Sequence, residues 1–268
     1  MKILFIGDVV ARSGREALLR HLPEIKTKFS PDVIIVNGEN AAHGIGINDK
    51  IVAEFFAAGV DVVTLGNHAW DQREVIPFIQ RESRLIRPVN YPAGTPGNGF
   101  IVYSLRDGRK ILVVNAMARL FMDPMDDPFA MMQNLVEKYP LGRSVQASFL
   151  DFHGEASSEK MAMAHYLDGR ISAVVGTHTH IPTADAQILP KGTAYQTDAG
   201  MTGDYNSVIG MRTEVPIQRF TRKFSIEKLS PADGEGCVCG VVIETDDKTG
   251  LATDIFPVRV GARLKNTP

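Results

Sequence analysis

Six short runs of mostly branched apolar residues constrain this chain more than any other feature. They are KILFIG at 2–7, DVIIVNG at 32–38, DVVTLG at 61–66, GFIVYSL at 99–105, KILVVNAM at 110–117 and ISAVVG at 171–176. Each has the length of a strand and is apolar at odd and even positions alike, so each needs cover on both faces. Between the early runs lie helical patterns. GREALLRHLPEIKTKF at 14–29 and NDKIVAEFFAAG at 48–59 are amphipathic, with Asn48 reading as an N-cap and Gly59 as a C-cap. The order β-α-β-α-β implies right-handed crossovers and a largely parallel sheet, the signature of an α/β fold.

From about residue 186 the pattern changes to strands and turns (AQILP, GTAYQTDAGM, GCVCGVVIETD, ATDIFPVRV), which predicts a second sheet packed on the first. Residues 117–150 hold three prolines and five methionines. They read as a small helical cap insertion, with one helix at about 129–139, inside a single domain spanning 1–268. With 268 residues and 44% hydrophobic content, the chain can build one large core. No internal repeat or low-complexity segment interrupts it.

A formal charge of −2 excludes the basic footprint of a protein that works on nucleic acid or anionic lipid, so neither DNA nor a membrane is an expected partner. The start MKILFIGDVV is too short in its apolar run for a signal peptide. No stretch approaches the roughly 18 apolar residues of a membrane span. A cytoplasmic protein is expected. Cys237 and Cys239 alternate in CVC and would share one face of a strand, as small, reduced, buried residues.

The apolar runs stop in a telling way. The first ends at Asp8, the second at Glu39 and Asn40, the third at Asn67 and His68, and the sixth at His178 and His180. Taken singly, Asp8 reads as a turn or cap, Asn40 and Asn67 as turn formers, and one histidine as a satisfied polar residue. Taken together, four strands deliver carboxylate, amide or imidazole to the edge where open α/β sheets bind ligands. Period two aims both rings of HTH the same way. Oxygen and imidazole donors without thiolate suit Fe, Mn, Zn or Co rather than a structural zinc site. Asp8, Glu39, Asn40, Asn67, His178 and His180 make six donors, and with His153 in DFHGE as a seventh they are too many for one ion. A pair of ions roughly 3.5–4 Å apart clamps a phosphate and generates hydroxide near neutral pH, which is phosphoester hydrolysis.

Gly7-Asp8-Val9-Val10, Gly38-Glu39-Asn40, Gly66-Asn67-His68, His153 and Gly176-Thr177-His178-Thr179-His180 resemble, in order and strand context, the calcineurin-like metallophosphoesterases. That superfamily runs D-x-H, G-D, G-N-H-E/D, H and G-H-x-H. Val10 replaces its first histidine and Glu39 its bridging aspartate. These departures, with NGENAAHGIGI, GNHAWD and DAGMTGD at 198–204, resemble the YmdB-like family of bacterial cyclic-nucleotide phosphodiesterases over nearly the whole chain.

The resemblance implies a four-layer α-β-β-α sandwich of two facing mixed sheets, with a dimetal site at the C-terminal strand ends. It implies that Asp8, Glu39, Asn40 and His180 bind one ion and that Glu39, Asn67, His153 and His178 bind the other. Glu39 bridges, and Asn40 takes the place that Val10 gives up. His68 becomes the proton donor, a role that suits a side chain titrating near working pH. Asp71 is either the group that orients it or a first-turn helix carboxylate. His43 is a substrate or shielding candidate. His21 and His165 read as structural or surface residues, and the 198–210 loop as a substrate loop. The implied activity is hydrolysis of 2′,3′-cyclic and also 3′,5′-cyclic nucleotides, in a homo-oligomer. A phosphomonoesterase or nucleotidase on the same centre, and a nucleotide-sensing regulator, remain the alternatives.

Overall fold

The computed structural model describes residues 1–224, 227–261 and 263–267. Its first half winds β1 (Lys2–Ile6), α1 (Ala11–Phe29), β2 (Val33–Asn37), α2 (Asp49–Ala57), β3 (Val62–Thr64), a short α3 (Val75–Ile79) and β4 (Leu85–Ile86). Then follow β5 (Phe100–Ser104), β6 (Lys110–Met117), α4 (Pro128–Lys138), β7 (Ala147–His153), α5 (Ser157–Leu167), β8 (Ala173–Thr177), β9 (Gln187–Ile188) and β10 (Ala194–Gln196). α6 (Glu214–Arg222), β11 (Cys237–Thr245) and β12 (Ala252–Gly261) complete the order. α2 begins where its cap predicts: the Asn48 side chain accepts from the Ile51 amide.

Two six-stranded mixed sheets result, in the orders β12-β11-β1-β2-β3-β4 and β5-β6-β7-β8-β10-β9. β1 to β4 run parallel, as do β6, β7, β8 and β10. The second sheet therefore begins at β5, well before residue 186. Of the late strands only β9 and β10 join it. β11 instead pairs antiparallel with β1, and β12 with β11, on the first sheet. Pro257 is accommodated because β12 is an edge strand. β7 also revises the reading of 117–150: from Ala147 onward this stretch is a wholly buried central strand, and His153 ends it rather than lying in a loop.

Alternation along the strands makes the four layers. Ile3 and Phe5, Val33 and Ile35, Ile111 and Val113, and Ala173 and Val175 fill the space between the sheets. There Phe5 and Phe149 rings meet at 4.8 Å. Leu4, Ile6, Ile34 and Val36 face α1 and α2. Leu112, Val114, Leu150 and Val174 face α4 and α5. No helix among the described residues is long and apolar enough to cross a membrane.

Candidate metal centre

Parallel strands place their C-terminal ends along one edge, so the polar residues that follow β1, β2, β3 and β8, with the last residue of β7, converge there. Asp8 and Glu39 are wholly buried, as are Asn40, His153 and His180 to within a few per cent. His153 is the centre of the cluster. Its Nε2 lies 2.8 Å from Asn67 Oδ1, 3.1 Å from Glu39 Oε1 and 3.1 Å from His178 Nδ1. Glu39, His153 and His178 thus form a group able to hold a metal ion. Asn40 Nδ2 donates to Glu39 Oε1 at 3.1 Å and lies 3.2 Å from His180 Nε2. Asn40 presents nitrogen at this point, so ligation through its oxygen requires the amide turned over. The His178 amide donates to Asp8 Oδ2 at 3.1 Å.

All seven predicted donors are therefore together, and their chemistry asks for a cation. One ring nitrogen cannot satisfy three neighbours with at most one proton. Asp8 Oδ1 is buried with no hydrogen-bond partner. No lysine or arginine among the described residues pairs with Asp8 or Glu39, and buried carboxylates need such a partner or a metal. The electrostatics reflect this. Burial pushes the Asp8 carboxyl up to about 6, against the pull of His180 and His153. Burial would raise Glu39 too, yet His153 and His68 draw it down to about 2. Burial would depress His153, yet Glu39 and Asp8 push it up to about 9. Burial, reinforced by His153, pushes His178 down to about 3. Positive charge is drawn to one point, and oxygen and imidazole donors surround it. Metal ions fit.

Gly66 explains why the third strand ends in Gly-Asn-His. A Cβ there would sit 2.3 Å from Glu39 Oε2 and 2.5 Å from His153 Nε2, inside the cluster. Asn67 faces the cluster, and His68 turns outward. The His68 amide donates to Glu39 Oε2 at 3.0 Å, while its ring, 35% exposed, meets Asp71 Oδ2 through Nδ1 at 2.5 Å. Asp71 thus stands against His68. His43 is exposed at a left-handed turn, φ 55°, and none of the site's hydrogen bonds reaches it. His165 is exposed on α5, and His21 is half-buried on α1.

Sequence reading missed the groups that hold HTH in place. His178 and His180 both have left-handed backbone, φ 99° and 67°, which non-glycine residues adopt at a cost. Asp198 secures the turn between them, its Oδ2 accepting from the Thr179 amide and hydroxyl at 3.1 and 2.8 Å. Lys160 Nζ donates to Asp198 Oδ2 at 2.9 Å and to the Thr177 carbonyl at 2.7 Å, with both ionic side chains wholly buried. The Ile209 carbonyl lies 2.8 Å from His180 Nδ1. The 198–210 loop therefore carries two anchors of the site. Lys160 had a signal: it shares the 160, 163, 164, 167 stripe of α5 with buried Met163, Ala164 and Leu167.

Two facing mixed sheets with this donor set at their joint edge define a metallophosphoesterase. The family described as YmdB-like protein matches residues 4–258. The chain is 47% identical to a 2′,3′-cyclic-nucleotide 2′-phosphodiesterase of Bacillus subtilis over 255 residues, 95% of each chain. Among solved structures, a hypothetical protein of Thermus thermophilus is 44% identical with a TM-score of 0.90, covering 98% of this chain and 100% of its own. A novel phosphatase from Mycoplasma pneumoniae is 33% identical with a TM-score of 0.91, covering 97% and 93%. The chain belongs to the YmdB-like family of metallophosphoesterases.

Proposed function

We propose that this protein is a dinuclear metal-dependent phosphodiesterase that opens 2′,3′-cyclic nucleotides and extends to the 3′,5′ forms. The observation that carries the reading is the convergence of seven donors, two of them buried carboxylates without a lysine or arginine partner. Asp8, Glu39, Asn40 and His180 would hold one ion, Glu39, Asn67, His153 and His178 the other, with Glu39 shared. Iron or manganese suits these donors best, and zinc also fits. Such ions supply Lewis acidity to the phosphate oxygens and lower the pKa of water. The side chains do the rest. Asn67 has its oxygen toward His153, which leaves its amide nitrogen to donate to a phosphate oxygen. His68, hydrogen-bonded to Asp71 through Nδ1, keeps Nε2 to protonate the departing sugar oxygen. The name of the Bacillus subtilis relative supports the 2′,3′-cyclic ring as substrate. The phosphatase description of the Mycoplasma pneumoniae structure supports a phosphomonoester as the second reading.

Glu39→Gln tests the assignment. Removing the shared charge should leave a folded protein that no longer retains both ions on dialysis. Turnover of 2′,3′-cyclic AMP should drop by on the order of 10³-fold, matching the several kcal/mol that metal charge contributes. Full metal content with full turnover in this variant would refute the shared role of Glu39.

A further inference from the structure

Between the sheets, the inward-facing residues change character in steps along the strands. Ile35, Val62, Val113, Phe149 and Val175 belong to the apolar core. Two residues further along stand Asn37, Thr64, Asn115, Asp151 and Thr177, all wholly buried. Two further again, just past the end of β2 and at the end of β7, come Glu39 and His153. A polar tier, one residue from each of five strands, thus separates the hydrocarbon core from the metal centre. No step of the proposed reaction uses it.

Asp151 is its hub. Its Oδ1 accepts from the Thr177 hydroxyl at 2.6 Å, and its Oδ2 from the Thr64 hydroxyl at 2.6 Å and Asn37 Nδ2 at 2.9 Å. Asn115 Nδ2 donates to the Asp151 carbonyl, and Asn115 Oδ1 accepts from the Leu65 amide, both at 3.3 Å. We infer that Asp151 is a positioning residue that, through Thr177, holds the His153 ring with Nε2 toward the metal centre. This inference rests on the metal-site reading above.

The proton count decides the direction. A threonine hydroxyl has one proton, and that of Thr177 points to Asp151 Oδ1. Thr177 therefore gives its proton to Asp151 and must accept at its 2.9 Å contact with His153 Nδ1. Nδ1 carries the hydrogen, and Nε2 carries a lone pair. Nε2 is the nitrogen that faces Glu39, Asn67 and His178. A lone pair aimed at oxygen acceptors is repulsive alone and ligating around a cation, the usual arrangement of a metal-bound imidazole backed by an acceptor. The same carboxylate also reaches the other sheet. Asn37 donates to Asp151 while its Oδ1 accepts from the Glu39 amide at 3.1 Å. One buried carboxyl group thus registers Glu39 of the first sheet against His153 of the second.

The test uses zinc, which is diamagnetic, with chelator-competition titrations of the wild type, Thr177→Val and Thr177→Ser, and nitrogen NMR of histidine-labelled, zinc-loaded wild type. The expected results are about 10–100-fold weaker zinc binding in Thr177→Val, affinity close to wild type in Thr177→Ser, and a protonated Nδ1 with a metal-shifted Nε2 on His153. Rescue by serine, which keeps the hydroxyl and drops the methyl, is the readout that a purely structural threonine would not give. Wild-type zinc affinity in folded Thr177→Val overturns the inference, and so does a His153 protonated on Nε2 in the zinc-loaded wild type, whether or not the variant folds. Failure of the wild type to bind zinc overturns the metal-site reading as well, and is told apart by that fact.

Discussion

His68→Ala should lose about 10²–10⁴-fold in turnover of 2′,3′-cyclic AMP while keeping its metal ions, the range removed with a general acid. His68 is tied to the centre only by its backbone, whose amide donates to Glu39 Oε2 at 3.0 Å. Its ring stands outside the cluster, partly exposed and held by Asp71. Deleting it leaves every donor around His153 in place. The loss should therefore depend on the leaving group. An alkoxide such as the ribose 2′ oxygen needs a proton, whereas a nitrophenolate does not. The variant should recover most of the wild-type rate on a nitrophenyl phosphodiester. Equal losses on both substrates would assign His68 to binding or structure instead.

Lys160→Met should be the most damaging change to stability, by about 3–5 kcal/mol in denaturant unfolding, because it strands a buried carboxylate. Lys160 and Asp198 are both wholly buried, 2.9 Å apart. Methionine keeps an unbranched apolar side chain and removes the ammonium with its bonds to Asp198 and the Thr177 carbonyl. Asp198 also secures Thr179 between two left-handed histidines, so the HTH turn should loosen and metal affinity fall with stability. Asp198→Asn in the same chain should recover part of the loss by removing the stranded charge. A cost within the roughly 1 kcal/mol of a surface pair would show that this ion pair does not hold the turn.

The sheets were legible where strands are apolar on both faces: β1, β2, β3, β6 and β8 are buried as that pattern asks, while β5, at a sheet edge, is only half-buried. β7 was not legible, although it is central. Its sequence ASFLDFH sets Ser148, Asp151 and His153 among apolar residues, and their partners lie elsewhere: Thr64, Asn37 and Thr177 on other strands and Ser172 just before β8. A polar tier shared by two sheets leaves no periodicity within one strand. The place of β11 beside β1 was likewise hidden, since antiparallel pairing across more than two hundred residues has no local signal. Six candidate donors could be read from strand endings, and His153 only from its order in the motif, since its surroundings read as loop. Asp71 could be anticipated from its three-residue spacing to His68, and the structure sets the two side chains in contact. Asp151 and Asp198 could not, because each is defined by donors that arrive from elsewhere in the fold.

The central claim is tested most directly by incubating manganese-loaded protein with 2′,3′-cyclic AMP and separating the products by chromatography. Cleavage of the phosphorus–2′-oxygen bond should yield 3′-AMP and stop there. Absence of turnover with both ions bound, or release of phosphate from 3′-AMP without opening of the cyclic diester, would contradict the account.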